Sequence, residues 1–153
     1  MDENLSFIST NFYEKCNLKV VDYEVEKESR EYFGSKFVLN KKKIIYRQAN
    51  ITPKKTGQFV TFWKRNCKNI TTPMEESDDF DYYVITVIRE EKKGQFIIPK
   101  NVLIEKAIVS SNNKEGKRGF RVYPIWDKPL SKQAIKTQHW QLAYFINDFK
   151  DLQ

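Results

Sequence analysis

The segment KIIYRQANITPKKTGQFVTFWKR, residues 43–65, limits the fold more than any other part of the chain. Two runs of strand character, residues 44–51 and 59–64, flank a turn of Thr52, Pro53, Lys54, Lys55, Thr56 and Gly57. Proline fixes the backbone and removes a donor, and glycine accepts a positive φ, so the chain reverses here as a hairpin. Alternation puts Tyr46, Gln48 and Asn50 on one face and Ile45, Arg47, Ala49 and Ile51 on the other. In the second run Phe59, Thr61 and Trp63 oppose Val60, Phe62 and Lys64. Neither run separates cleanly into an apolar and a polar face. Cations and aromatics lie among residues that should pack, the composition of a surface for an anionic, stackable ligand.

The charge pattern points the same way. No Asp or Glu occurs from Tyr32 through Met74, whereas Lys36, Lys41, Lys42, Lys43, Arg47, Lys54, Lys55, Lys64, Arg65 and Lys68 all fall within that span. Before it, eight acids against four bases leave residues 1–31 at −4; the chain total is +7, so residues 32–153 carry +11. An acidic N-terminal layer over a basic body suits a polyanion, and nucleic acid is the partner this predicts, DNA ahead of RNA.

A length of 153 residues is expected to form one domain, residues 1–153, with a core that needs no staples. No apolar run reaches membrane-spanning length and the N-terminus lacks a basic n-region and an apolar h-region, so no membrane contact and a cytoplasmic location are expected. Cys16 and Cys67 are isolated and read as reduced packing residues.

Periodicity predicts a helix over residues 4–16 capped by Asn4, an ambiguous stretch at 18–21, and a charged helix over 24–33 ended by Gly34 and Ser35. A strand at 37–39 turns through 40–43 into the central pair. Residues 66–79 read as a loop, 82–89 (YYVITVIR) as a buried strand, 96–98 as its return and 100–107 as a short helix. A polar loop, 112–119, precedes a strand at 120–123. The last helix is expected over 131–149, capped by Ser131, with Ile135, Gln138, His139, Leu142, Phe145, Ile146 and Phe149 on its apolar stripe and His139 a core residue. Trp140 and Tyr144 fall on the opposite side, where they are candidates for a protein partner. The sum is an α+β fold, a central mixed β-sheet flanked by helices.

The strings YRQANITPKKTGQFVTFWKR, DDFDYYVITV, GQFIIPK, GKRGFRVYPIWD and KQAIKTQHWQLAYF, in this order, resemble the MepB family of small bacterial proteins across residues 28–145. The resemblance implies a cytoplasmic bacterial protein whose namesake is encoded beside a multidrug efflux pump and its regulator. It also implies a restriction-endonuclease-like architecture. Enzymes of that fold use two or three carboxylates and a lysine around Mg²⁺. The acid-x-lysine pair of a core strand would correspond here to Gln48 and Asn50, neutral amides that cannot neutralise a divalent cation. Catalytic candidates are therefore only Gln48, Asp79 and Asp81, and the leading metal candidates Glu28 and Asp81, with Asp78, Asp79 and Glu31 as further possible ligands.

No glycine-rich phosphate loop, zinc spacing or catalytic triad stands out. The sequence thus predicts a nucleic-acid-binding protein without strong catalysis or a cofactor. The alternatives are an Mg²⁺-dependent nuclease and a protein–protein adaptor. Expected phosphate contacts are Lys54, Lys55, Lys64, Arg65, Lys117, Arg118 and Arg121, with Arg47 either reaching a phosphate or bracing the sheet. Trp63, Tyr123 and Trp126 are candidates for stacking.

Overall fold

The computed structural model describes residues 1–147. Helix α1 (Glu3–Ile8) starts at Asp2, whose Oδ1 accepts the Leu5 N–H at 2.9 Å, and runs on as a π-helical turn (Ser9–Tyr13) and a 3-10 turn (Glu14–Cys16). Asp2, not Asn4, is the cap, since the Asn4 amide instead donates to Gln48 Oε1 at 3.2 Å. Strand β1 (Val21–Val25) takes up residues expected to be partly helical, and a kinked 3-10 segment (Lys27–Tyr32) follows. Strands β2 (Ser35–Leu39) and β3 (Lys42–Gln48) form a hairpin over Asn40 and Lys41, both at positive φ, the mirror-image turn that matches strand twist.

The expected 44–51 strand breaks at Ala49. Its first part, β3, lies parallel to β8 (Tyr82–Arg89), from Ile44 opposite Tyr82 to Gln48 opposite Thr86, and the Ala49 N–H still donates to Thr86 O. Its last two residues, β4 (Asn50–Ile51), pair with β5 (Gln58–Thr61) across the predicted turn. The hairpin therefore survives only at its tip. The 66–79 loop holds one strand, β7 (Thr71–Pro73), paired with β6 (Trp63–Arg65). Strand β9 (Lys92–Pro99) returns antiparallel along all of β8, and α2 (Lys100–Glu105) follows. Strand β10 (Gly119–Val122) completes a small sheet on β5.

Helix α3 (Lys132–Leu142) begins at Ser131 as expected, the Ser131 Oγ accepting the Ala134 N–H, but it stops short of 149. Phe145 and Ile146 form strand β11 on the edge of β9. The Phe145 ring lies 4.7 Å from Phe96 and over Gly94, where any Cβ would sit 2.4 Å from the ring. Packing on that bare strand outweighs helical periodicity. Phe149 lies outside the described residues.

The main sheet has the order β1-β2-β3-β8-β9-β11, with β3 and β8 its parallel pair. Its face bearing Ile44, Tyr46 and Val84 packs on Leu5, Ile8, Phe12 and Tyr13 from the N-terminal helical layer. The other face, with Ile45, Tyr83 and Ile85, packs on Val60 and Phe62, on Phe120 and Val122 of β10, and on Val102 and Leu103 of α2. The expected α+β class with a mixed central sheet is thus observed. Cys16 and Cys67 are exposed, contrary to their reading as packing residues: Cys16 ends the 3-10 turn of the N-terminal layer and Cys67 sits in the turn between β6 and β7.

Arg47 is 2% exposed on β3 and belongs to the brace between layers, not to a phosphate-binding surface. Its guanidinium donates to Glu26 Oε2 at 2.8 Å and to Tyr46 O at 2.7 Å. Removing one member of a buried pair strands the other charge, so Glu26→Ala should lower stability by about 3–5 kcal/mol, read from the denaturant midpoint at unchanged slope. The conjugate change Arg47→Met should cost clearly less than Glu26→Ala; equal costs would contradict the brace.

Candidate nucleic-acid interface

The small sheet β10-β5-β4 is tied to the main sheet by two polar contacts. Tyr83 OH donates to Thr61 O at 2.7 Å, and Gln58 Nε2 to Ile88 O at 3.2 Å. Helix α3 then docks on β10 through amides. Gln141, fully buried, accepts the Tyr123 N–H with Oε1 and donates Nε2 to Arg121 O, both at 2.9 Å. Gln138 donates to the carbonyls of Tyr123, Pro124 and Asp127. These two glutamines turn the face of α3 that holds Ala134, Thr137 and Gln141 inward. Ile135 is consequently half exposed, and His139 is exposed instead of sitting in the core.

Between β10, its flanking loops and α3 runs a groove of about 540 Å³. Lys55 reaches it from the 52–57 loop, Lys117 from the 112–119 loop, Lys106 from the end of α2 and Arg121 from β10. Phe59, Phe120, Tyr123 and Trp140 add aromatic wall, and no residue lining it carries a carboxylate. The 52–57 loop is held in place by Arg121, which donates to Thr56 O, Gly57 O and Thr52 Oγ1 at 3.1, 3.1 and 2.6 Å. Gly57 is required at the loop's end, because its φ is +83° and an added Cβ would lie 2.7 Å from the Tyr123 ring. Lys54 takes φ +69° at the tip without glycine's freedom, a cost that the Arg121 bonds offset.

Three comparisons bear on ancestry. A family model described as MepB-like matches residues 26–147. The chain belongs to the MepB-like family. A solved structure described as the crystal structure of MepB superposes with a TM-score of 0.83 at 36% identity, covering 96% of this chain and 97% of that one. A bacterial homing endonuclease, I-Ssp6803I, superposes with a TM-score of 0.50 at 15% identity, covering 92% and 87% of the two chains, and shows likeness of fold alone. No curated protein matches. Among the described residues no helix is long and apolar enough to cross a membrane.

In this MepB-like chain the sequence-predicted residues separate into groups. Lys55, Lys117, Arg121 and Tyr123 converge on the groove, but Arg121 is spent largely on the loop. Trp63, Lys64 and Arg65 belong to the β6–β7 ribbon outside it. There Arg65 stands 5.4 Å over the Trp63 ring and pairs with Glu28 at 3.2 Å, while Lys64 pairs with Asp78 at 2.8 Å. Arg118 donates to Thr71 O and faces Glu115. Trp126 packs edge-on against Phe145. Trp140 and Tyr144 are half-buried against the core, and Trp140 also lines the groove beneath the Lys106 ammonium, 5.5 Å from its ring. Lys106 was missed in the sequence because a lone lysine after a short helix carries no signal.

The residues of the nuclease reading do not fit Mg²⁺. Gln48 is bonded to Asn4, and Asn50 Nδ2 donates to Glu31 O at 3.4 Å, so amides occupy the strand end where charge would be needed. Glu28 pairs with Arg65, and Asp79 is bound by the Lys43 ammonium, whose hydrogen bond and charge hold its carboxyl below the usual range. Asp81 Oδ2 accepts the Lys43 N–H at 2.8 Å. Each of these acids thus already has a partner, a basic side chain or a backbone N–H.

If Arg121 staples the loop, Arg121→Ala should open it. Losing about 1.5 kcal/mol of charged hydrogen bonding raises the open population about tenfold, read as faster tryptic cleavage after Lys54 and Lys55 with the rest of the fold intact.

Proposed function

We propose that this MepB-like chain binds nucleic acid, DNA ahead of RNA, along the groove between β10 and α3, and does not cleave it. One observation carries the reading: the two lysine-bearing loops, 52–57 and 112–119, border the same acid-free groove. A fold that gathers Lys55, Lys106 and Lys117 on a wall without a carboxylate concentrates positive charge there, which a phosphate backbone would offset. The aromatic wall adds apolar contact for sugars or bases. Likeness of fold to a homing endonuclease is the support for putting DNA ahead of RNA. Amides at Gln48 and Asn50, with the surrounding acids committed to lysine and arginine, argue for binding without hydrolysis.

Fluorescence anisotropy with labelled duplex DNA tests this. Neutralising about three phosphates with Lys55, Lys106 and Lys117 implies a log–log salt slope of at least roughly −2.7, so affinity should fall about fortyfold between about 50 and 200 mM salt. Lys55→Glu with Lys117→Glu should weaken binding and flatten that slope by roughly 1.8 without lowering the melting temperature. Binding by this folded variant equal to the parent's would refute the groove. Cleavage of the DNA on adding Mg²⁺, lost in Asp81→Ala, would overturn the claim that the chain only binds.

A further inference from the structure

The 52–57 loop borders a second hollow, of about 640 Å³, and Lys55 lies on the wall of both. Three separate segments bring cations to it: Lys54 and Lys55 from the loop, Arg89 and Lys92 from the turn between β8 and β9, and Lys128 from the approach to α3. Glu90 and Glu91 lie between Arg89 and Lys92 in the chain but are not among the residues that line it. The single acid in the hollow, Asp127, is 9% exposed and only 3.9 Å from one Arg89 nitrogen. Burial raises the Asp127 carboxyl above its ordinary value, with Arg89, Lys92 and Arg121 opposing the rise. Among the described residues, Lys54, Lys92 and Lys128 have no ion-pair partner.

These cations are far apart in sequence, and nothing in their spacing assembles them. A turn carrying Arg-Glu-Glu-Lys could present its acids to the same hollow and cancel the field; here it presents its bases. Lys55 joins the two basic hollows across a loop that Arg121 ties down with three hydrogen bonds. A tethered ridge between two positive hollows suits a backbone that passes over it, because ordering the loop then costs less on binding. We infer that the nucleic-acid track does not end in the groove: the phosphate backbone crosses the 52–57 loop at Lys55 and Lys54 and continues into the second hollow, where Arg89, Lys92 and Lys128 contact further phosphates. The inference rests on the proposed function and extends its site to residues outside the groove.

The experiment compares three folded variants with the parent on a long labelled duplex of about 24 base pairs, roughly 80 Å at about 3.4 Å per pair. The hollow variant is Lys92→Gln with Lys128→Gln, the groove variant Lys106→Gln with Lys117→Gln, and the third combines all four. Arg89 is left in place because its loss would strand Asp127, and melting curves verify that each variant is folded. Each lost phosphate contact should flatten the salt slope by about 0.9, so the hollow variant should lose roughly 1.8 and the combined variant about twice that. A hollow variant that keeps the parent's slope and affinity, while the groove variant loses both, would overturn the extension and leave the groove standing. Loss in the hollow variant with a parent-like groove variant would overturn the groove and, with it, the continuous track. A parent that binds no DNA at low salt would remove both.

Discussion

A guanidinium buried in the middle of a sheet needs a carboxylate brought to it, and much of this fold follows from that requirement. Arg47 sits on β3, which is covered on both faces, so its charge cannot reach water. Glu26 supplies the counter-charge from a neighbouring layer. Holding Glu26 there is consistent with the chain leaving β1 after Val25, and the segment that follows kinks at Ser29 instead of continuing as a helix. Part of the N-terminal acidity therefore serves the interior and does not merely balance the basic body.

The opposite face of the sheet is held by hydroxyls and amides. Tyr13 OH donates to Gln95 Oε1 at 2.6 Å, Gln95 Nε2 donates to Thr86 Oγ1 at 3.1 Å, and Tyr46 OH donates to the same oxygen at 2.6 Å. This chain joins the N-terminal helical layer to β9, β8 and β3, all at buried positions. Burial drives both tyrosine hydroxyls well above their ordinary range, which favours the protonated, donating form. Satisfied networks of this kind specify register as well as adding stability, since a one-residue slip of β9 would turn Gln95 to the other face.

An endonuclease-like sheet with no metal-binding cluster among the described residues leaves a scaffold that presents surfaces. The carboxylates near the start of β8 hold turns through lysine partners, while Gln48 at the end of β3 accepts from the Asn4 amide and Asn50 donates to the Glu31 carbonyl. Two cation-lined hollows border the 52–57 loop, one of them without a carboxylate in its wall. In this chain the second layer, inserted between β3 and β8 and closed by β10 and α3, carries the candidate chemistry.

The sequence by itself determined the strands whose composition leaves no alternative, above all Tyr82–Arg89, and the turn at residues 52–57, where Pro53 and Gly57 impose the reversal. It also determined the charge asymmetry, the Ser131 cap, and enough unusual strings to mark the MepB-like family. These are local properties, set by backbone preference and side-chain type. Tertiary structure alone decided where the 44–51 run would split, because Ala49 can close on Thr86 only when β8 lies beside it. It alone ended α3 at Leu142, since Phe145 gains more on the bare Gly94 than in another helical turn. It likewise sorted the cations. Arg47, Lys64 and Arg65 were indistinguishable in sequence from Lys55 and Lys117, and only the arrangement of distant acids decided which would be paired and which would face the groove. A charge's partner is a long-range property, and no local pattern encodes it.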